Sequence, residues 1–261
     1  MGNAKCDQPV GVFDSGVGGI SVLKELYQVM PQEHYIYFGD SKNAPYGTRP
    51  VEEIRSLTIA NVKFLLEQGV KGIVVACNTA TAAAVRTLRG MYPDIPLVGI
   101  EPAVKPAALK AGHPTILVMA TPMTIKGEKY KALMMRYEQK ADIIGLPCPG
   151  LVEFVESGNT EGADLKIFLE DLLAPYLREI DSIVLGCTHY PFVRRLIEEI
   201  AGERVRIFDG GLGTAREMRR RLEVAGLLTS RKGNGSVIFE NSLATEEEIE
   251  LSRTLFQKNL G

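Results

Sequence analysis

This chain lacks a marked excess of either charge. Its 261 residues carry 30 lysines and arginines against 32 aspartates and glutamates, a net charge of -2. That balance makes no electrostatic case for nucleic acid or an anionic membrane surface. No apolar run approaches the roughly 18 residues of a membrane span. Residues 1–6 hold no apolar core ahead of a small-residue cleavage site, so no signal peptide is read there and the expected location is the cytoplasm. Cysteine is sparse: Cys6, Cys77, Cys148 and Cys187 stand singly, without the C-x-x-C pair of a zinc ribbon or thioredoxin-like site. No metal site is expected, and in a reducing cytosol these are free thiols. Low-complexity segments are absent. The basic run at 216–221 is interleaved with Glu217 and followed by Glu223, which reads as a solvated helix face.

What is present is an alternation of short β-branched runs with longer helical stretches. Runs at 10–13, 35–38, 72–76, 97–99, 115–119, 142–144, 182–185, 205–208 and 237–239 read as strands. Helical periods fill most gaps, among them 20–29, 51–67 and 79–91. Near-continuous apolar strands predict an α/β fold with mainly parallel sheets flanked by helices. In such sheets ligands sit at the carboxyl ends of strands, so the loops after strands carry function.

The chain also echoes itself. Ile73-Val74-Val75-Ala76-Cys77-Asn78-Thr79 resembles Ile183-Val184-Leu185-Gly186-Cys187-Thr188-His189. Upstream, Val10-Gly11-Val12-Phe13-Asp14-Ser15 is echoed by Ile116-Leu117-Val118-Met119-Ala120-Thr121 at a similar distance. The order repeats along with the motif, which predicts two similar domains facing each other. The expected division gives residues 1–98 with 208–261 to the first and 99–207 to the second, with the active site in the cleft between them.

A cysteine at a strand end, just before a helix, meets backbone N–H groups and a helix dipole that favour an anion. Such placement is expected to lower the thiol pKa. Two such cysteines in matching positions suggest two thiols approaching one substrate from opposite sides; the plainer alternative is a pair of buried core cysteines. Opposed acid and base groups are what inversion at a carbon needs, one sulfur removing a proton and the other delivering one. Gly16, Gly18 and Gly19 are assigned to a tight turn, since a full G-x-G-x-x-G is not spelled and no dinucleotide site is expected.

Several strings then combine: Phe13-Asp14-Ser15-Gly16-Val17-Gly18-Gly19, Gly39-Asp40-Ser41, Pro45-Tyr46-Gly47-Thr48, Ala76-Cys77-Asn78-Thr79-Ala80 and Gly186-Cys187-Thr188-His189-Tyr190-Pro191. Together they resemble the glutamate racemases of the cofactor-independent aspartate/glutamate racemase superfamily, over residues 10–191 with a looser tail to 228. The sequence departs from that pattern at Ile20-Ser21, often Leu-Thr, and at Asp209-Gly210-Gly211, where a serine often follows the aspartate. The resemblance implies interconversion of L- and D-glutamate without a cofactor, supplying D-glutamate for peptidoglycan; an aspartate-specific racemase is the neighbouring alternative. It implies Cys77 and Cys187 as the catalytic thiols, with Asp14, His189 and Glu153 assisting. It further implies Asp14, Ser15, Pro45, Tyr46, Gly47, Asn78, Thr79, Thr121, Thr188 and His189 around the substrate, and a homodimer. Each assistant has a plainer role to set beside this: Asp14 as a helix cap, His189 as a structural histidine, Glu153 as an exposed helix carboxylate.

Overall fold

The computed structural model describes residues 3–109 and 112–260. Among them the strands are β1 Val10–Asp14, β2 Tyr35–Gly39, β3 Gly72–Val75, β4 Leu97–Gly99, β5 Thr115–Ala120, β6 Asp142–Pro147, β7 Ser182–Leu185, β8 Arg206–Asp209 and β9 Val237–Asn241. The helices are α1 Asn3–Cys6, α2 Ile20–Val29, α3 Val51–Glu67, α4 Asn78–Met91, α5 Val104–Ala108, α6 Pro122–Lys126, α7 Glu128–Tyr137, α8 Leu151–Glu156, α9 Ala163–Leu173, α10 Arg194–Ala201, α11 Gly211–Val224 and α12 Glu246–Gln257.

The strands form two sheets, ordered β4-β3-β1-β2-β9 and β6-β5-β7-β8, and every pairing is parallel. Helical crossovers cover both faces of a parallel sheet, which is why β1, β2, β3 and β7 are buried along their whole length. Alternate residues sort onto opposite faces. Val10, Val12, Tyr35, Tyr37 and Val74 meet Leu23 and Leu26 of α2 and Met218 and Leu222 of α11. Phe13, Ile36, Phe38, Ile73 and Val75 meet Ile54, Val62 and Leu65 of α3 and Ala84 and Leu88 of α4.

The repeat seen in the sequence is a repeat of topology. β1 lies between β3 and β2, as β5 lies between β7 and β6, and β4 and β8 take the same outer place. β9 is the extra strand: the chain returns after β8 to pack α11 and α12 on α2 and to add β9 beside β2. Strand pairing puts Gly99 in the first sheet and Phe208 and Asp209 in the second, a residue or two beyond the divisions expected from the pattern. The halves are joined by more than two crossings of the chain, since one apolar cluster runs from Val12 and Leu23 through Ile100 to Leu117 and Leu185. That shared core fixes how the carboxyl ends of the two sheets face each other.

Candidate active site

Cys77 and Cys187 follow β3 and β7, the equivalent strands of the two sheets. Both line one small cavity. The first half contributes Ser15, Pro45, Tyr46, Gly47, Cys77, Asn78 and Thr79, and the second Thr121, Val152, Gly186, Cys187, Thr188 and His189. Its water-accessible space is about 20 Å³, room for about one water molecule. A molecule the size of a dicarboxylic amino acid exceeds the space this cavity offers as it stands.

The two thiols sit differently. Cys77 is the N-cap of α4: its carbonyl accepts from Thr81 N–H at 2.9 Å, as an α-helix requires, and its sulfur accepts from Ala80 N–H at 3.4 Å. The residue four places after Cys187 is Pro191, which has no N–H to donate. The chain instead makes a bond from Tyr190 N to the Cys187 carbonyl at 3.2 Å and a single 3₁₀ turn, Tyr190–Val193, before α10. This frees the Cys187 sulfur to face His189, with Nδ1 3.6 Å away.

The expected lowering of both thiol pKa values is corrected at Cys77. Burial pushes its thiol up to about 12, and the Asp14 carboxylate nearby adds to the rise. Bonds donated by the Ser15 hydroxyl, at 3.4 Å, and the Ala80 amide only offset part of it. Desolvation outweighs the helix terminus here. Asp14 is itself fully buried at the end of β1, and burial raises its pKa; His189, Gly16 N–H and the Thr188 hydroxyl pull against that rise. Its oxygens accept from Gly16 N at 3.0 Å and Thr188 Oγ1 at 3.1 Å, while α2 begins at Gly19 with no side-chain cap. Asp14 therefore ties the loop after β1 to the loop carrying Cys187 instead of capping the helix.

On the Cys187 side the buried His189 presents Nε2 to Glu156 Oε1 at 2.5 Å. Burial alone would lower the imidazole's pKa, but bonds to the Cys187 sulfur and the Glu156 carboxylate, with their charges, hold it well above its ordinary value. Glu156 in turn stays below the usual carboxylate range: burial raises it, and His189 and the Val17 N–H, 3.0 Å from the same Oε1, more than offset that.

The glycines after β1 turn out to serve close approach across the cleft. A Cβ on Gly16 would stand 1.9 Å from Glu156 Oε1, and one on Gly18 would stand 2.3 Å from His189 Nδ1. Neither glycine has a positive φ, so space and not backbone conformation demands them. Likewise a Cβ on Gly47 would meet Thr121 at 2.7 Å. Ser21 crosses the same seam, donating to the Thr188 carbonyl at 2.8 Å.

Hydroxyls supply most of the polar lining. Thr79, Thr121 and Thr124 lie 3.0–3.2 Å from one another across the two halves. The Tyr46 hydroxyl donates to Asp40 at 2.6 Å, so Tyr46 and Gly47 offer the cavity a ring and backbone. Among the lining residues none is Lys or Arg, which leaves a protonated His189 as the cation within reach of a carboxylate.

Residues 16–241 match the model of the Asp/Glu/hydantoin racemase family. The chain belongs to that family. It is 52% identical over 250 residues to a glutamate racemase of Clostridium perfringens, covering 95% of this chain and 96% of the relative. A glutamate racemase isoform of Bacillus anthracis superposes with a TM-score of 0.86 at 31% identity, over 97% of this chain and 95% of that one. The glutamate racemase of Francisella tularensis, solved in complex with D-glutamate, gives 0.83 at 29% identity, over 97% and 95% of the two chains.

Within this racemase-family site, all but two of the residues singled out in the sequence line the cavity. Asp14 lies directly behind it, bonded to Thr188. Glu153 is the residue displaced: it lies on the exposed side of α8, outside the lining, and the carboxylate that reaches His189 is Glu156. The reason is helical geometry. Glu153 and Glu156 stand about one turn apart along α8, and it is the turn carrying Glu156 that comes within bonding distance of His189, with Val152 and Val155 buried beside it. Glu156 was missed for want of any local signal, and so was Thr124. The remaining thiols are bystanders: buried Cys148 donates to the Leu146 carbonyl at 3.3 Å, and Cys6 to the Gly226 carbonyl at 3.4 Å. Among the described residues no group of three or more His, Cys, Asp or Glu could hold a metal ion, and no helix is long and apolar enough to cross a membrane.

Proposed function

We propose that this chain interconverts L- and D-glutamate by moving the Cα proton between Cys77 and Cys187. The observation that carries the reading is that both thiols, each from one half and each at the end of an equivalent strand, line the same cavity. A Cα held between them would present opposite faces to the two sulfurs. One sulfur takes the proton, leaving a planar carbanion whose charge spreads into the α-carboxylate, and the other returns a proton to the far face.

The two sides are built differently. Cys77, with its pKa pushed up to about 12, is a protonated thiol near pH 7 and starts as the donor. On the Cys187 side the His189 imidazole stands 3.6 Å from the sulfur, within reach to take or return its proton, with Glu156 behind the imidazole. Running from the other enantiomer reverses both roles. The hydroxyls of Ser15, Thr79, Thr121 and Thr188 and the Asn78 amide suit the substrate's carboxylates and ammonium. Both proton carriers belong to the chain, so the scheme calls for no cofactor. The reading extends to a homodimeric cytoplasmic enzyme supplying D-glutamate for peptidoglycan.

The test is solvent-deuterium incorporation at Cα from each enantiomer, in wild type, Cys77→Ala and Cys187→Ala. Loss of one proton-transfer group costs on the order of 10²–10⁴-fold in racemisation. Each variant should be impaired from the opposite side. Wild-type racemisation by either variant refutes the two-thiol scheme, and faster turnover of aspartate than glutamate refutes the substrate.

A further inference from the structure

A second small cavity lies beside Asn78, and neither thiol lines it. It is walled by Thr81 of α4, Ile100 between the halves, and Thr124, Tyr130 and Leu133 of the second half. The ion pair of Lys129 with Glu101, at 2.8 Å, involves two more of its lining residues. Its water-accessible space is about 20 Å³. Asn78 lines both this cavity and the one holding the thiols, so its side chain stands in the partition between them.

Two buried polar atoms with no hydrogen-bond partner in the protein belong to residues of this one cavity: Asn78 Oδ1 and the Tyr130 hydroxyl. Both residues are more than nine-tenths buried, Asn78 at 6% and Tyr130 at 7% exposure. Buried polar atoms in folded proteins are almost always satisfied, and stranding one is costly. The space exceeds the roughly 10–15 Å³ that a water needs, and Asn78 Oδ1 and the Tyr130 hydroxyl supply two of the two to four polar partners a buried water takes.

We infer that this cavity is a built water site, and that Tyr130 acts through that water as a positioning residue for Asn78. The water donates to Asn78 Oδ1 and bonds the Tyr130 hydroxyl. This turns the amide so that its NH₂ group faces the thiol cavity, where it donates to a substrate carboxylate. Without the anchor the amide flips freely, presenting its acceptor oxygen to that carboxylate half the time. The hydroxyl is lodged in place from below: a Cβ on Gly145 of β6 would stand 2.9 Å from it. The α7 helix, which carries no catalytic group, thereby sets the orientation of a residue adjoining Cys77. This inference rests on the proposed reading of the thiol cavity as a glutamate site.

Tyr130→Phe removes the hydroxyl and keeps the ring, and two readouts separate the possible failures. In crystal structures at high resolution, wild type should show a water bridging Asn78 and Tyr130, and Tyr130→Phe should lose it; a dry cavity in wild type overturns the inference whatever the enzyme's activity. In kinetics, Tyr130→Phe should raise the KM for glutamate by about tenfold, the worth of one hydrogen bond, with kcat changed less. In an Asn78→Ala background the same change should have no further effect on KM, which a merely structural loss could not reproduce. Additive effects of the two substitutions overturn the inference while leaving the racemase reading intact. A wild-type enzyme that fails to racemise glutamate overturns that reading, and the water site is then judged by the crystal structures alone.

Discussion

Gly18→Ala tests the claim that the glycine loop serves the opposite half of the molecule. The added Cβ would stand 2.3 Å from His189 Nδ1, 2.5 Å from Cε1 and 2.7 Å from Cγ, against the edge of a ring that is itself buried. To reach ordinary contact the ring must retreat by about 1 Å, and a shift of that size in a proton-transfer group costs on the order of 100-fold. His189 is bonded on both sides, to Cys187 and Glu156, so the retreat cannot spare both bonds. The expected result is a kcat/KM about 100-fold below wild type, equivalent to about 2.7 kcal/mol of lost transition-state stabilisation. Overpacking should lower the unfolding free energy by about 1–3 kcal/mol in parallel. Circular dichroism follows racemisation from each enantiomer, and urea unfolding on the same samples checks that the protein is folded at the assay temperature. Gly90→Ala, on α4 with nothing within 4 Å of its new Cβ, is the matched control and should keep wild-type rates. A Gly18→Ala enzyme within twofold of wild type from both directions refutes the packing argument.

Replacing Glu156 by Gln should weaken the enzyme in a pH-dependent way. The folded-state pKa of His189 is raised above its unfolded value of about 6.5, so the stability it contributes is complete below that value and drains away as pH climbs through the raised folded value. Glu156 is lowered, so its contribution is present above about pH 4.5 and disappears on acidification through its folded value. The destabilisation by Glu156→Gln should accordingly peak between about pH 5 and 6.5, at roughly 3 kcal/mol, and shrink as pH rises through the raised His189 value; urea midpoints measured upward from about pH 5 decide it, and a penalty that grows with pH refutes the pairing. Far from the cleft, Lys71 and Glu33 form an ion pair almost wholly out of solvent, with Glu33 also accepting from Thr229 N at 2.9 Å. Lys71→Met should cost about 3–5 kcal/mol by stranding the carboxylate, with Lys71→Met/Glu33→Leu recovering most of it and kcat unchanged in the folded fraction; a single variant as stable as wild type contradicts this.

Much of this molecule is written locally. The strands β1, β2, β3 and β7 can each be read from a short apolar run, because a strand buried on both faces by crossover helices must be apolar throughout. The matched cysteines are equally legible, since a residue at a strand end before a helix is placed by its immediate neighbours. The echo of residues 10–15 and 73–79 at 116–121 and 183–189 even anticipates that β1 and β5 hold the same place in their sheets. The asymmetry between the two thiols is also local in origin, because Pro191 bars the helical bond that Thr81 makes.

Other features were decided only when the halves met. Glu156 and Glu153 are both acidic residues on one short helix, and which of them reaches His189 depends on how α8 packs against the loop after β7. Gly16 and Gly18 look like turn glycines until Glu156 and His189 are seen pressed against them from 140 and 171 residues away. The rise of the Cys77 pKa was also out of reach, since a helix terminus is visible in sequence and desolvation is not. Sequence determined which groups stand at the ends of the strands. The tertiary structure decided which of them touch and how dry they are, because both depend on bringing together atoms that the chain itself keeps far apart.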